Sequence, residues 1–491
     1  MKNEKSKAVK VSDVLSENMK LIDEKFKDCP DLIKKQAFLK DNTEVYFIYI
    51  DGTINTDVVE RDLIRPILNM NYEAVSDKKK LNSIPATGIK FYTDMDSIIS
   101  DILTGCTAFL ADGIEYGFTS AIRNFEKRSI TEPEIEKDVR GSHEGFIELM
   151  NVNMAILRRK VKNTNLKFKP IVVGDTTNQI VNIVYIEGIA DPALVQKLYD
   201  KISGIKFDGI LAAGYIEQLI VDFPNSLFPQ YQLTERPDRA TGALLEGRLL
   251  ILTEGTPGVL ILPVTLFSFF KAPDDYNTHW IFGSLIGTLR ILSALVAIYF
   301  PSIYIALTTF HYYMVPLNLL IPLAESRARV PFSPVVEAFV MEIVIEMLRE
   351  AAIRLPTYIG ASIGVVGGII IGQAAVQAGI VSELLIIVVA VTAIASFITP
   401  VYDMGLTLRT IRFVMMLSTA VFGILGMSCI TVLILANLVI LESLDQPYFQ
   451  PIIPFRIKDL KDTIIRVPLK FMKRRPTITH PLDKKRGKGN D

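Results

Sequence analysis

The chain has 491 residues, of which 49% are hydrophobic and 22% are charged. This length allows two or three domains, and a formal net charge of zero gives no indication of nucleic-acid binding. Charged residues are concentrated in residues 1–240 and near the C-terminus, whereas long apolar runs fill the stretch between. This distribution predicts a soluble N-terminal half followed by a membrane domain that starts near Trp280.

The motif content argues against an enzyme. The three cysteines and four histidines lack the spacing of a metal site, and the odd cysteine count argues against a disulfide framework. No P-loop, GxSxG or HExxH motif occurs, and Asp94 is better explained as a helix N-cap than as a metal ligand. We therefore predict no catalytic residue, metal or cofactor. Residues 1–20 are polar and unlike a signal peptide, which favours a cytoplasmic soluble half.

Two patterns recur in the N-terminal half. Residues 45–67 and 181–202 each contain an apolar strand, an acidic residue followed by glycine, and a helix. Residues 102–113 and 244–255 each contain a helix end, a glycine, a short strand and a second acid-glycine pair. The recurrence predicts two structurally similar α/β subdomains in tandem. The alternative is that this order of strand, acid-glycine pair and helix recurs by chance.

The predicted architecture is an α/β soluble half, with two similar tandem subdomains, followed by a polytopic α-helical transmembrane domain. The charged residues 126–145 separate the two subdomains. We divide the chain into a polar N-terminal segment (1–40), a first α/β subdomain (41–130), a second α/β subdomain (146–275), a helical membrane domain (280–445) and a basic C-terminal tail (446–491).

Five apolar segments are candidates to cross a bilayer, which takes about 20 residues of helix. They are Ile281–Phe300, Ser302–Leu323, Thr357–Gly379, Glu383–Tyr402 and Phe413–Leu441. We expect hairpins at Pro301 and at Gly379, and we expect Arg409 and Arg412 to lie in a cytoplasmic loop. The basic tail should also be cytoplasmic. Five crossings from a cytoplasmic N-terminal half would instead place the tail on the opposite side of the membrane. Either the last segment bends, at Gly423 and Gly426, or another segment re-enters, so the number of crossings stays open.

An acidic helix is expected over residues 333–356. Glu342, Glu346 and Glu350 recur every four residues and share one helix face, with Glu337 near it. Carboxylates in a membrane mark ion pathways, and a ring of them would favour cations, so these four glutamates are the candidate ion pathway. The alternative is an amphipathic helix at the membrane surface with its acids in water.

A glycine stripe follows the acidic segment. Gly360, Gly364, Gly368 and Gly372 recur every four residues, and Gln373 comes next to the last of them. Small residues at this spacing let helices approach closely in lipid. The stripe is therefore a candidate for a pore-facing or subunit-facing helix, and the alternative is packing within one subunit.

Three segments carry a family resemblance. Residues 233–276, 333–356 and 360–382 resemble the A subunits of GerA-type spore germinant receptors, and the likeness extends from about residue 40 to about residue 455. The resemblance implies a multi-pass protein of the bacterial endospore inner membrane that senses nutrients and triggers germination with release of monovalent cations. The implied partners are a permease-like B subunit, a lipoprotein C subunit and membrane lipid, but no nucleic acid.

The resemblance also implies a homo-oligomer, such as a pentamer, around a ligand-gated cation-conducting pathway. The alternatives are a non-conducting scaffold or signalling subunit, and an accessory germination protein that lacks its own nutrient sensor. A membrane-attached enzyme is disfavoured by the missing motifs.

Overall fold

The structure, a computed structural model, describes residues 9–122, 133, 136, 140–354, 371–457, 459–463 and 466–487. The chain folds into two compact units. The first unit comprises Met1–Asp222, Tyr231–Pro263 and Met472–Asp491, and the second comprises Phe223–Gln230 and Val264–Phe471. The second unit therefore begins before the predicted membrane boundary, because Val264 and Phe269 are fully buried in its core.

The first unit contains a five-stranded antiparallel sheet at its N-terminal end. In spatial order its strands are Leu32–Phe38, Glu44–Ile50, Thr107–Ala111, Gly117–Ser120 and Lys90–Tyr92. The predicted strand after residue 43 is confirmed, and both of its faces are buried: Phe47 lies in one core cluster and Ile48 in another. The sheet begins earlier than the predicted boundary at residue 40, because the edge strand Leu32–Phe38 is half exposed and therefore polar in sequence.

A second antiparallel sheet of five strands follows in the same unit. In spatial order its strands are Leu166–Val173, Gln179–Ile186, Leu249–Thr253, Val259–Leu262 and Gln232–Thr234. Its strands are arranged in the same order along the sheet as those of the first sheet. The apolar run after residue 256 forms the buried strand Val259–Leu262.

Helices cover the sheets of the first unit. They are Leu15–Lys25, Thr56–Val59, Glu60–Ile64 (a π-helical turn), Arg65–Leu68, Tyr72–Ser76, Lys78–Leu81, Met95–Leu103, Met150–Lys160, Pro192–Ser203, Ala213–Ile220, Pro237–Leu245 and the 3-10 turn Thr477–Thr479. The side chain of Asp94 accepts a hydrogen bond from Ser97 N, which confirms its prediction as an N-cap.

The second unit is mainly helical. Its helices are Asp274–Asn277, Trp280–Thr309, Leu317–Arg327, Pro334–Arg354, residues 371–377, Glu383–Phe397, Tyr402–Phe422 and Ile424–Ile440. Short 3-10 turns occupy Leu266–Phe270, Tyr312–Met314, Leu460–Asp462 and Leu469–Phe471, and Glu442–Ser443 pairs with Gln446–Pro447. The helix Trp280–Thr309 packs against both Glu383–Phe397 and Tyr402–Phe422.

The hairpin predicted at Pro301 is wrong. Pro301 lies inside the single helix Trp280–Thr309, whose 30 residues span about 45 Å at 1.5 Å per residue. A proline inside a helix removes one backbone hydrogen bond, a loss that packed helices tolerate when the freed carbonyl finds other partners. Pro301 and Ser302 are both buried, so helix packing surrounds this position.

Among the described residues, two helices are long and apolar enough to cross a membrane, Trp280–Thr309 and Tyr402–Phe422. Glu383–Phe397 and Ile424–Ile440 are apolar but shorter. The predicted segment Phe413–Leu441 is interrupted at Gly423, one of the two glycines expected to bend it. Most of the predicted segment that starts at residue 357 lies outside the described residues.

The predicted C-terminal tail is divided between the two units. Tyr448 is fully buried in the core of the second unit, so the boundary at residue 446 does not separate a tail from that unit. Residues 472–487 belong to the first unit, where Arg475 Nε donates to Leu245 O at 2.8 Å and Thr479 Oγ1 donates to Glu246 O at 2.8 Å.

Candidate functional site

The four candidate glutamates lie on the helix Pro334–Arg354, which we name the acidic helix. Their exposure changes along it. Glu337 and Glu342 are buried, the side chain of Glu346 is 25% exposed, and that of Glu350 is 59% exposed. The face predicted from the four-residue spacing therefore runs from the protein interior at Glu342 to the surface at Glu350.

Glu342 and Glu346 share one arginine from another helix. The helix Tyr402–Phe422, which we name the arginine helix, brings Arg412 Nη2 to 3.0 Å from Glu342 Oε2 and 2.7 Å from Glu346 Oε1. The side chains of Glu342 and Arg412 are each 1% exposed. Such a buried pair depends on both partners, because removing either one leaves a desolvated charge.

Two further arginines contact Glu346. Arg409 Nη1 lies 3.0 Å from Glu346 Oε2, and Arg349 Nη1, on the acidic helix itself, lies 3.5 Å from Glu346 Oε1. Arg349 also donates to Ser396 Oγ at 2.6 Å and stacks over the ring of Phe397. Glu346 is therefore surrounded by guanidinium groups from two helices.

We name the side chains of Glu342, Glu346, Arg349, Arg409 and Arg412 the charge network. With all five groups ionised, the arginines outnumber the glutamates by one positive charge. In this conformation, the two carboxylates are therefore neutralised by arginine side chains of the same chain. Opposite charges this close attract strongly when they are shielded from water.

The predicted cytoplasmic loop at Arg409 and Arg412 is wrong. Both residues lie inside the arginine helix, and their side chains are 11% and 1% exposed. The rule that places arginines in cytoplasmic loops treats each charge alone. Here the cost of burial is offset by ion pairs with glutamates more than sixty positions earlier in the sequence.

The other two candidate glutamates do not join the charge network. Glu337 Oε1 lies 3.4 Å from Arg327 Nη2, and Glu337 Oε2 accepts a hydrogen bond from Ser382 N at 3.0 Å. Glu350 pairs with Arg354 at 2.6 Å on the exposed surface of the acidic helix. The structure thus brings together only Glu342 and Glu346 of the predicted set.

The glycine stripe is described at one position only. Gly360, Gly364 and Gly368 lie outside the described residues. Gly372 is buried and Gln373 is exposed in the helical segment 371–377. A Cβ built on Gly372 would lie 3.9 Å from Ile386, which is an ordinary packing distance. Packing against the described residues therefore does not require glycine at position 372.

The first unit has a polar cavity that the sequence did not indicate. Its volume is about 440 Å³, a size that suits a small molecule. Asp51, Asn151 and Glu254 are among its lining residues. Asn151 Nδ2 donates to Asp51 Oδ2 at 3.2 Å, and Met150 N donates to Glu254 Oε2 at 3.2 Å.

Three carboxylates, Asp51, Asp57 and Glu254, line this cavity together with Arg159. The carboxylates suit a ligand that donates hydrogen bonds, such as a small molecule with an amino group. Asp51 and Glu254 belong to two of the acid-glycine turns that recur in the sequence. The recurrence was visible in the sequence, but the cavity was not, because residues two hundred positions apart meet only through the tertiary fold.

Comparison with known proteins identifies the family. The family model described as Bacillus/Clostridium GerA spore germination protein matches residues 20–478. The chain is 40% identical to spore germination protein B1 of Bacillus subtilis, over 91% of this chain and 93% of that protein. It is 36% identical to the uncharacterized membrane protein YfkQ of Bacillus subtilis, over 95% and 91% of the two chains.

A solved structure also aligns with part of the chain. It is the N-terminal domain of the A subunit of the Bacillus megaterium spore germinant receptor GerK3. The alignment covers 52% of this chain and 97% of that chain, at 25% identity and a TM-score of 0.39.

The chain belongs to the Bacillus/Clostridium GerA spore germination protein family. The resemblance seen in residues 233–276, 333–356 and 360–382 is thereby confirmed, and it covers nearly the whole chain. The family is one of spore germination proteins.

Proposed function

We propose that this chain is the A subunit of a nutrient germinant receptor in the spore inner membrane, and that its copies form a ligand-gated cation pathway. The observation that carries the proposal is the charge network, in which Glu342 and Arg412 are buried among apolar helices. Charged groups are costly inside a membrane, and those retained there commonly serve ion movement. A change in the contacts of these carboxylates would then open a cation-selective path.

Exposed apolar side chains support a multi-pass, oligomeric membrane unit. Leu285, Leu289 and Leu292 on the helix Trp280–Thr309 are 66%, 51% and 53% exposed. Large apolar surfaces of this kind fit lipid or another subunit better than water. We propose a homo-oligomer that acts with the permease-like B subunit and the lipoprotein C subunit, with the first unit in the cytoplasm.

The two sheets of the first unit support the proposal of tandem related subdomains. Both have the same spatial order of strands. The glycines of the four acid-glycine turns also share one backbone conformation, with φ between 73° and 81° at Gly52, Gly113, Gly188 and Gly255. A shared strand order together with shared turns is less easily explained by chance than the sequence pattern alone.

The alternative is a non-conducting scaffold or accessory germination protein. The excess of arginine over glutamate in the charge network favours it, since arginines that neutralise the acids can serve as structural links between helices. The two functions differ in whether these carboxylates matter for ion flow.

Replacing Glu342 and Glu346 together by Gln distinguishes the two functions. We expect potassium release from spores treated with a mixture of the twenty amino acids, glucose and inosine to slow by at least about tenfold, because neutral amides attract cations poorly. Glu350→Gln is the matched control, since Glu350 lies outside the charge network. It should release potassium at the wild-type rate.

Protein abundance in the membrane is measured for each variant. If the double variant is not assembled, Glu346→Gln alone keeps the buried Glu342–Arg412 pair and replaces it in the test. Unchanged release from an assembled variant contradicts the conducting function and favours the scaffold.

A further inference from the structure

We propose that Arg412 is a positioning residue of the cation pathway. At rest it holds and neutralises Glu342 and Glu346, and conduction requires it to release them. This inference rests on the proposed cation pathway and adds the residue that controls it.

The geometry makes Arg412 the common partner. A single nitrogen, Arg412 Nη2, contacts Glu342 Oε2 at 3.0 Å and Glu346 Oε1 at 2.7 Å. Arg409 and Arg349 contact Glu346, but Arg412 makes the only ion pair of Glu342 in the described part of the chain. Movement of one guanidinium group would therefore change the environment of both carboxylates.

The charge network also contains unsatisfied polar atoms. Glu342 Oε1 and Arg412 Nε are buried and have no hydrogen-bond partner among the described residues. A buried polar atom without a partner costs free energy, so a partly satisfied network is less stable than a fully paired one. A second arrangement that exposes Glu342 Oε1 to water or a cation, and Arg412 Nε to water, would regain that energy.

The balance of charge explains why release would matter. With Arg412 in place, the charge network carries an excess of one positive charge and repels a cation. With Arg412 displaced, the two glutamates face two arginines, and Glu342 loses its ion pair. Glu346 keeps its contacts with Arg409 and Arg349. Repeated in several subunits, the freed Glu342 carboxylates would form a ring that attracts monovalent cations.

The acidic and arginine helices have a second contact that does not involve charge. The rings of Phe339 and Phe413 lie 6.3 Å apart, centre to centre. The Arg412 guanidinium also lies over the Phe413 ring, 5.5 Å from its centre. Substitution of Arg412 by Gln removes its contact with the Phe413 ring but keeps both aromatic side chains of the link between the helices, which favours assembly of the variant.

The test uses spores in which the full chain, or a variant, is the A subunit. Potassium release is measured first in buffer without nutrient and then with the mixture of amino acids, glucose and inosine. We expect Arg412→Gln to release potassium without nutrient at least about tenfold faster than wild type, because a resting-state contact is lost. Arg354→Gln, which removes only an exposed pair with Glu350, should behave as wild type.

Each outcome decides the proposal. The proposal is overturned if an assembled Arg412→Gln protein releases potassium no faster than wild type in the absence of nutrient. This holds whether or not nutrient still triggers release. If this variant is not assembled, Arg412→Lys keeps the charge but has a single ammonium in place of the guanidinium fork. Leakage, or release at a lower nutrient concentration, then supports the proposal, and wild-type behaviour overturns it.

The double Gln variant of Glu342 and Glu346 separates two kinds of failure. If it releases potassium normally, the cation pathway itself is wrong. If it blocks release while the Arg412 variants behave as wild type, the pathway stands and only the positioning role of Arg412 fails.

Discussion

Buried charged side chains in this chain are held by specific partners. Arg290, inside the apolar helix Trp280–Thr309, has Nη1 2.5 Å from Asp275 Oδ2. In the first unit, Arg158 donates to both carboxylate oxygens of Asp31, at 2.7 and 3.0 Å. Bidentate pairs of this kind fix the relative orientation of the two side chains and also neutralise their charges.

The Asp31–Arg158 pair is almost inaccessible to solvent. The side chains of Asp31 and Arg158 are 4% and 1% exposed. Burial raises the pKa of the neighbouring Cys29 thiol, even though the guanidinium of Arg158 acts in the opposite direction. Burial of this kind disfavours an unpaired charge.

Asp31→Asn should destabilise the protein by about 3–5 kcal/mol, because it leaves the Arg158 guanidinium buried without its counter-ion. The matched control is Asp23→Asn, which breaks the exposed pair with Lys34 and should cost less than about 1 kcal/mol. Thermal unfolding of the purified full chain in detergent compares the two. Equal midpoints for both variants would show that the buried pair does not stabilise the fold.

At the scale of elements, Gly423 separates the arginine helix from the helix Ile424–Ile440. Its backbone has φ 60° and ψ −140°, a region that essentially only glycine adopts. A Cβ there would lie 3.0 Å from His311 Nε2 and 3.1 Å from the Phe310 ring. The break thus needs glycine for its backbone angles and for its close approach to neighbouring side chains.

Gly423→Ala is therefore expected to destabilise the protein by about 2–4 kcal/mol, through backbone strain and overpacking. Gly405→Ala in the arginine helix is the matched control. A Cβ at position 405 meets none of the residues that the structure describes within 4 Å, and alanine favours a helix over glycine by about 1 kcal/mol. In detergent, the midpoint of thermal unfolding of the Gly405 variant should equal or exceed that of wild type. The midpoint of the Gly423 variant should lie well below it. The reverse ranking would show that the break does not depend on glycine.

Local pattern predicted the strands better than it predicted how distant segments meet. The strands Glu44–Ile50 and Gln179–Ile186 and the turns that follow them were visible in the sequence, because apolar runs and acid-glycine pairs are local signals. The edge strand Leu32–Phe38 was missed, since one of its faces is solvated and reads as polar.

Within the candidate site, the sequence identified the helix and its glutamates but not their partners. Arg409 and Arg412 appeared to belong to a loop, because nothing local shows that a distant carboxylate will neutralise them. The tail residues Arg475 and Thr479 likewise bond to backbone atoms more than two hundred positions away. Such contacts depend on the tertiary fold rather than on periodicity.

In the whole molecule, we propose, the acidic helix selects cations even though arginines outnumber glutamates in the charge network. The direct measurement is the reversal potential of the assembled receptor, reconstituted with its partner subunits in a lipid bilayer under a potassium chloride gradient. Our account predicts a current selective for potassium over chloride, and reduced selectivity when Glu342 and Glu346 are replaced by Gln, because the carboxylates set the field. A chloride-selective current, or no current from the assembled receptor with the nutrient mixture, would contradict it.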